Sequence, residues 1–137
     1  MEKQDINKFI GIPHQFGGDS YESCDCLGLC RLFYREHGIG LDFTDGKPVT
    51  ENWKKDGHLR LKRYFKKYFK EVDKDSLQYG DIVLFDVVGD IHFGVYVGYG
   101  KVLAMFVPVK YGETKSTIYK KKMWENSFRK GYSPWKY

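Results

Sequence analysis

The chain is poor in cysteine, has no apolar leader and has no long hydrophobic run, and each shortage narrows what it does. Three cysteines, Cys24, Cys26 and Cys30, cannot close a set of disulfides, and their spacing lacks the C-x2-C pairing of a structural zinc site. They read as thiols, and neither metal nor cofactor is expected. The first ten residues, MEKQDINKFI, lack the apolar core of a signal peptide, and no later stretch reaches the length of a membrane span. An export address is therefore not expected in this chain. Repeats, low-complexity tracts and linker compositions are also missing, so residues 1–137 are expected to form a single domain.

Hydrophobic residues make up 42% of the 137 positions and aromatics 18%, which supports an ordinary core and excludes a disordered tail. The 23 Lys and Arg exceed the 18 Asp and Glu by five, and the pI is near 9.0. Such a surface prefers anionic partners: nucleic acid, acidic lipid or anionic cell-wall polymer.

Residues 17–38, GGDSYESCDCLGLCRLFYREHG, organise the rest. From Cys26 the inward positions run Leu29, Cys30, Phe33 and His37, the stripe of one helix face. Asp25 is a good N-cap type and Gly38 a good stop. Cys26 thus opens the helix, where the dipole and unpaired backbone N–H groups favour a thiolate and where its own N–H could meet a developing oxyanion. A lone cysteine is more often a small buried hydrophobe. The pairing with His92 shifts that balance. His92 begins HFGVYVG, whose alternation places His92, Gly94, Tyr96 and Gly98 on one face and Phe93, Val95 and Val97 on the other. The glycines predict open space beside the imidazole. A cysteine at a helix N-terminus followed by a histidine on a sheet is the arrangement of a cysteine hydrolase, in which the imidazole takes the thiol proton and returns it to the leaving amine.

Around these two segments, residues 5–10 predict a short helix, and GIPHQFGG an extended segment closing in a double-glycine turn. Between Trp53 and Val72, Leu61, Tyr64, Phe65, Tyr68, Phe69 and Val72 recur at helical spacing among lysines and arginines, predicting an amphipathic helix with a cationic outer face. Lys and Arg are the default cover of a core helix, so this face reads first as solvated. From Leu77 the period becomes two. YGDIVLFDV, IHFGVYVG and KVLAMFV predict an antiparallel meander, followed by a strand near Thr117–Tyr119, a short piece near Trp124 and a last strand at 131–135.

These segments resemble the NlpC/p60 family of cell-wall cysteine peptidases, in the branch found among bacteriophage tail proteins. GIPHQFGG, CDCLGLCRLFYREHGIGL, LQYGDIVLF and IHFGVYVGYGKVLAMF follow the family's order and gaps from Gly11 to about Phe106. The resemblance implies a papain-like α+β fold, with a central antiparallel sheet and the cysteine-bearing helix packed on it. It also implies cleavage of peptidoglycan stem peptides, typically between D-glutamyl and the following diamino acid. On it, Cys26 is the nucleophile and His92 the base. Asp25 stands beside the nucleophile as cap or substrate contact, and Asp81 satisfies turn backbone at the start of the sheet.

Two positions depart from the pattern. His14 stands where the family has a tyrosine that helps hold substrate or oxyanion, and a histidine can donate the same hydrogen bond. Ala104 stands where the family's third polar group orients the catalytic histidine, which an alanine cannot do; Glu113, Thr114 or a backbone carbonyl are the candidates to replace it. Three readings follow. The first is an active peptidase reaching peptidoglycan and anionic wall polymers from a virion tail or by another delivery route. The second is a catalytically weak structural or wall-binding tail component, in contact with other tail proteins. The third is a nucleic-acid binder using the basic helix, disfavoured because no recognised RNA- or DNA-binding pattern accompanies it.

Overall fold

The computed structural model describes residues 1–43, 58–87, 89–105 and 114–135. Most of the expected elements are present: a 3-10 turn at Ile6–Phe9, α1 (Cys26–Glu36), α2 (His58–Tyr68), β1 (Phe69–Val72), β2 (Ile82–Val87), β3 (Asp90–Tyr96), β4 (Val102–Ala104), β5 (Thr117–Tyr119), α3 (Lys121–Trp124) and β6 (Phe128–Pro134).

Helix α1 forms because its ends and its inward face agree. Asp25 caps it by accepting from the Gly28 N–H at 2.6 Å. At the other end Gly38, at φ +74°, donates to Arg35, and Ile39 donates to Tyr34 at 2.9 Å, the paired closure that a left-handed glycine permits. Leu29, Cys30 and Phe33 are wholly buried, but so are Leu27, Leu32 and Tyr34 nearly so. The helix is therefore enclosed on more than one side, and Tyr34 donates from inside the core to the Gly80 carbonyl at 2.5 Å.

The strands form one antiparallel sheet in the order β1-β6-β2-β3-β4-β5. The expected meander is present as β2-β3-β4 and continues into β5. Strand β6, from the end of the described chain, inserts between β1 and β2, bulging between Leu84 and Phe85. One face of the sheet carries Ile82, Leu84, Phe93, Val95 and Leu103 against α1 and α2; the other carries Val83, Phe85, Val102 and Ala104 against Trp124. At about 25 cal/mol per Å² these two apolar layers supply the main driving force for folding.

The helical pattern read from Trp53 to Val72 needs correction at its end: α2 stops at Tyr68, and Phe69–Val72 pair with β6. Spacing 65/69/72 is helical, since a strand turns Phe69 and Val72 to opposite faces, and pairing with β6 overrides it. The part from Trp53 to Gly57 lies outside the described residues.

Candidate functional site

The site is built on the segment before α1. The Pro13 carbonyl accepts from Cys24 N–H and the Cys24 carbonyl from Gln15 N–H, each at 3.0 Å, so His14 runs beside Cys24 as a short parallel bridge. The chain then turns at Gly17, φ +80°, with Gly18 N–H donating to Gln15. This turn lies directly on the start of α1. Asp25 N–H donates to the Gly18 carbonyl at 3.2 Å, and a Cβ at Gly28 would stand 1.8 Å from that same oxygen. Asp25, buried, accepts from Gly17 N–H at 2.7 Å through one carboxylate oxygen and from Gly28 N–H through the other. Both oxygens serve backbone, so the residue is the clamp between turn and helix.

Cys26 is thereby fixed as the first residue of α1, in the field of its positive end. All three thiols are free. They are not equivalent. Cys24 and Cys30 have no exposed surface, whereas Cys26 keeps 8%. Burial, with help from Asp25, pushes the Cys24 thiol up to about 12, and burial raises Cys30 well above the ordinary thiol range. Neither supplies a thiolate near neutrality.

His14 is half-buried, edge-on to Phe16 with ring centroids 4.7 Å apart. Burial lowers its pKa below 6.5, against an opposing pull from Asp25. At neutral pH it is an uncharged imidazole able to donate one hydrogen bond. Its backbone N–H donates to the Thr114 carbonyl at 2.9 Å, which brings Thr114 to the same segment. The Thr114 hydroxyl is buried without a hydrogen-bond partner. Ser116 ties this region down further: its hydroxyl donates to the Phe9 carbonyl at 2.6 Å and accepts from Ile12 N–H at 2.9 Å.

His92 is buried on β3, opposite Phe85 of β2. Helix α1 packs on β3, so the elements carrying Cys26 and His92 are neighbours. Ala104 pairs with Gly94, two residues further along β3 than His92. Phe106 and Glu113 lie outside the described residues. The space expected beside the histidine is not at Gly94, where a Cβ would meet Val102 at 2.7 Å, the Leu103 carbonyl at 2.9 Å and Ala104 at 3.0 Å. That glycine is required by close strand packing. Asp81, also buried, accepts from Gln78 N–H at 2.8 Å, the turn-closing role expected of it. Among the described residues no group of three or more His, Cys, Asp or Glu is placed to hold a metal, and no helix is long and apolar enough to cross a membrane.

The sequence pattern pointed to Asp25, Cys26 and His14, which the fold brings to one segment. It missed the Gly18–Gly28 contact and the His14–Cys24 bridge, since close approach between two glycine-containing stretches leaves no periodic signal.

Known proteins share this chain's family and fold. The NlpC/P60 family model matches residues 11–129. The chain belongs to that family. Over 100 residues it is 27% identical to the probable endopeptidase p60 of Listeria seeligeri, a match covering 72% of this chain but 16% of that protein. The fold matches the NlpC/p60 domain of the peptidoglycan hydrolase SagA with a TM-score of 0.54 at 17% identity, covering 92% of this chain and 90% of that one. It also matches NlpC1 of Trichomonas vaginalis with a TM-score of 0.58 at 16% identity, over 93% of this chain and 40% of the other. The architecture is thus the papain-like α+β fold of NlpC/p60 domains.

Proposed function

We propose that this NlpC/P60 chain is a cell-wall hydrolase that cleaves an amide bond in peptidoglycan stem peptides, with Cys26 as nucleophile and His92 as general base. The observation that carries the reading is Cys26 itself: the one thiol with exposed surface, held at the first position of α1 by the Asp25 clamp. In this mechanism His92 removes the thiol proton and the thiolate sulfur bonds to the scissile carbonyl carbon. The tetrahedral oxyanion collapses as the imidazolium gives its proton to the leaving amine, leaving a thioester. Water, deprotonated by His92, attacks that thioester, releasing the acid and restoring the thiol. Neutral His14 is the donor proposed to meet a substrate oxygen near Cys26. The bond proposed is that between D-glutamyl and the following diamino acid, on the family resemblance, and residues 1–137 act as one domain.

A second reading, a catalytically weak wall-binding component of a phage tail, is favoured by Ala104. It is wholly buried with Val83, Phe85 and Trp124 and offers no polar atom from its side chain. Tail attachment would account for delivery to the wall. Digesting purified peptidoglycan and identifying the new amine and acid ends by mass spectrometry separates the two. The first reading predicts one new pair of ends that Cys26→Ala abolishes; no release by the wild type, or equal release by Cys26→Ala, overturns it.

A further inference from the structure

At the β1 edge of the sheet, α2, β1 and β6 enclose a concavity of about 500 Å³, within the range of small-ligand sites. Its apolar wall is Phe65, Phe69 and Tyr132, with Phe65 and Tyr132 stacked at 4.4 Å. Lys62, Lys66 and Lys70, four residues apart, line it together with Lys130 and Glu71. Lys130 holds Glu71 at 2.8 Å, so the one carboxylate among the described lining residues is already engaged. Among the described lining residues, four lysines and one glutamate give an excess of three positive charges. Lys62 and Lys66 are one turn apart on α2, where like charges at this spacing destabilise a helix, and Lys70 on β1 adds a third charge around the same hollow, which a merely solvated face gives no reason to gather. The other lining residue of note is Trp135, a large aromatic left 61% exposed.

We propose that this cavity binds a phosphate-bearing glycan, with phosphates on Lys62, Lys66 and Lys70 and a sugar ring on the face of Trp135. Lysines bind phosphate as point charges, and an indole beside them offers an apolar face to the C–H side of a sugar. Single-stranded nucleic acid fits less well, because it uses successive stacking platforms and Tyr132 is only 6% exposed. The cavity shares no residue with His14, Asp25, Cys26 or His92. It would hold the chain on an anionic wall polymer independently of catalysis.

Calorimetric titration of the whole chain tests this, with poly(glycerol phosphate) bearing glucosyl groups as probe, neutral chitohexaose as control, and oligo(dT) of equal phosphate number as competitor class. The glycan phosphate should bind, chitohexaose should not, and oligo(dT) should be weaker. Replacing Lys62, Lys66 and Lys70 together by Gln should lower affinity at least about tenfold in low salt and flatten log K against log salt by about two units. Trp135→Ala should weaken binding several-fold without changing that slope. Cys26→Ala should bind like wild type. Unchanged affinity and slope in the triple variant, with its circular dichroism intact, would overturn the proposal, as would tighter binding of oligo(dT).

Discussion

Gly28 illustrates how much of the site depends on a single missing methyl group. In an ordinary helix, Gly→Ala stabilises by about 1 kcal/mol. Here the new Cβ would lie 1.8 Å from the Gly18 carbonyl oxygen, a backbone atom that cannot swing aside. Overpacking of this kind generally costs about 1–3 kcal/mol. Gly28→Ala should therefore lower stability by about that amount, measured as the urea midpoint at constant slope, and should push the Gly17–Gly18 turn off α1. A stabilised Gly28→Ala protein would show that the contact does not exist. At Asp25 the argument concerns acceptors. Asp25→Ala removes the partners of Gly17 and Gly28 N–H and should cost about 2 kcal/mol, at the upper end of cap losses. Asp25→Asn keeps an oxygen for Gly28 and should recover about half of that. If Asn and Ala were equally harmful, the negative charge rather than the cap would be the important property.

Among the elements, the segment joining residues 9–14 to residues 114–119 sets the shape of the site, and Ser116 is its lock. Its hydroxyl serves Phe9 and Ile12 across more than a hundred residues of chain, in a buried position. Ser116→Ala leaves both backbone groups unpaired, at about 1–3 kcal/mol for each buried group. Hydrogen exchange should show loss of protection at the Ile12 amide while α1 amides stay protected; unchanged protection at Ile12 would mean the two segments are held by something else. Such a link is not written in the sequence. Helix α1 is, because its stripe, its cap and its terminal glycine all agree. So are β2 to β4, whose alternation and turns are local. The insertion of β6 between β1 and β2 depends on partners some sixty residues apart, and the Phe69–Val72 segment could be read as helix until its partner strand was known. The same holds for the site. Asp25 and Cys26 were legible from helix-start chemistry and His92 and His14 from motif order, while the register of Ala104, paired with Gly94 rather than His92, required the sheet.

For the molecule as a whole, stability should be greatest between roughly pH 7 and 9. Burial holds His14 and His37 below their ordinary value of 6.5. The unfolded chain therefore takes up protons first on acidification, and stability falls as pH drops through 6.5. Cys24, Cys30 and Tyr34 are raised by burial from ordinary values of 9.0, 9.0 and 10.0. The folded chain keeps those protons while the unfolded chain loses them, so stability also falls as pH rises above 9. Asp81 acts in the opposite sense to the histidines: its carboxyl is raised from 3.8 by burial, and its contribution is lost as pH rises through the folded value. Urea midpoints across pH 5 to 10 should trace this plateau, and His14→Gln with His37→Gln should flatten its acid side. An acid side unchanged in that double variant would assign the fall to other groups.

The proposed pairing of Cys26 with His92 is tested most directly by the rate at which iodoacetamide alkylates each cysteine at pH 6. If His92 withdraws the Cys26 proton, Cys26 should react first, Cys24 and Cys30 should stay unmodified in the folded protein, and His92→Ala should slow Cys26 at least about tenfold while leaving circular dichroism intact. Equal labelling of all three thiols, or a Cys26 rate that His92→Ala leaves unchanged, would contradict it.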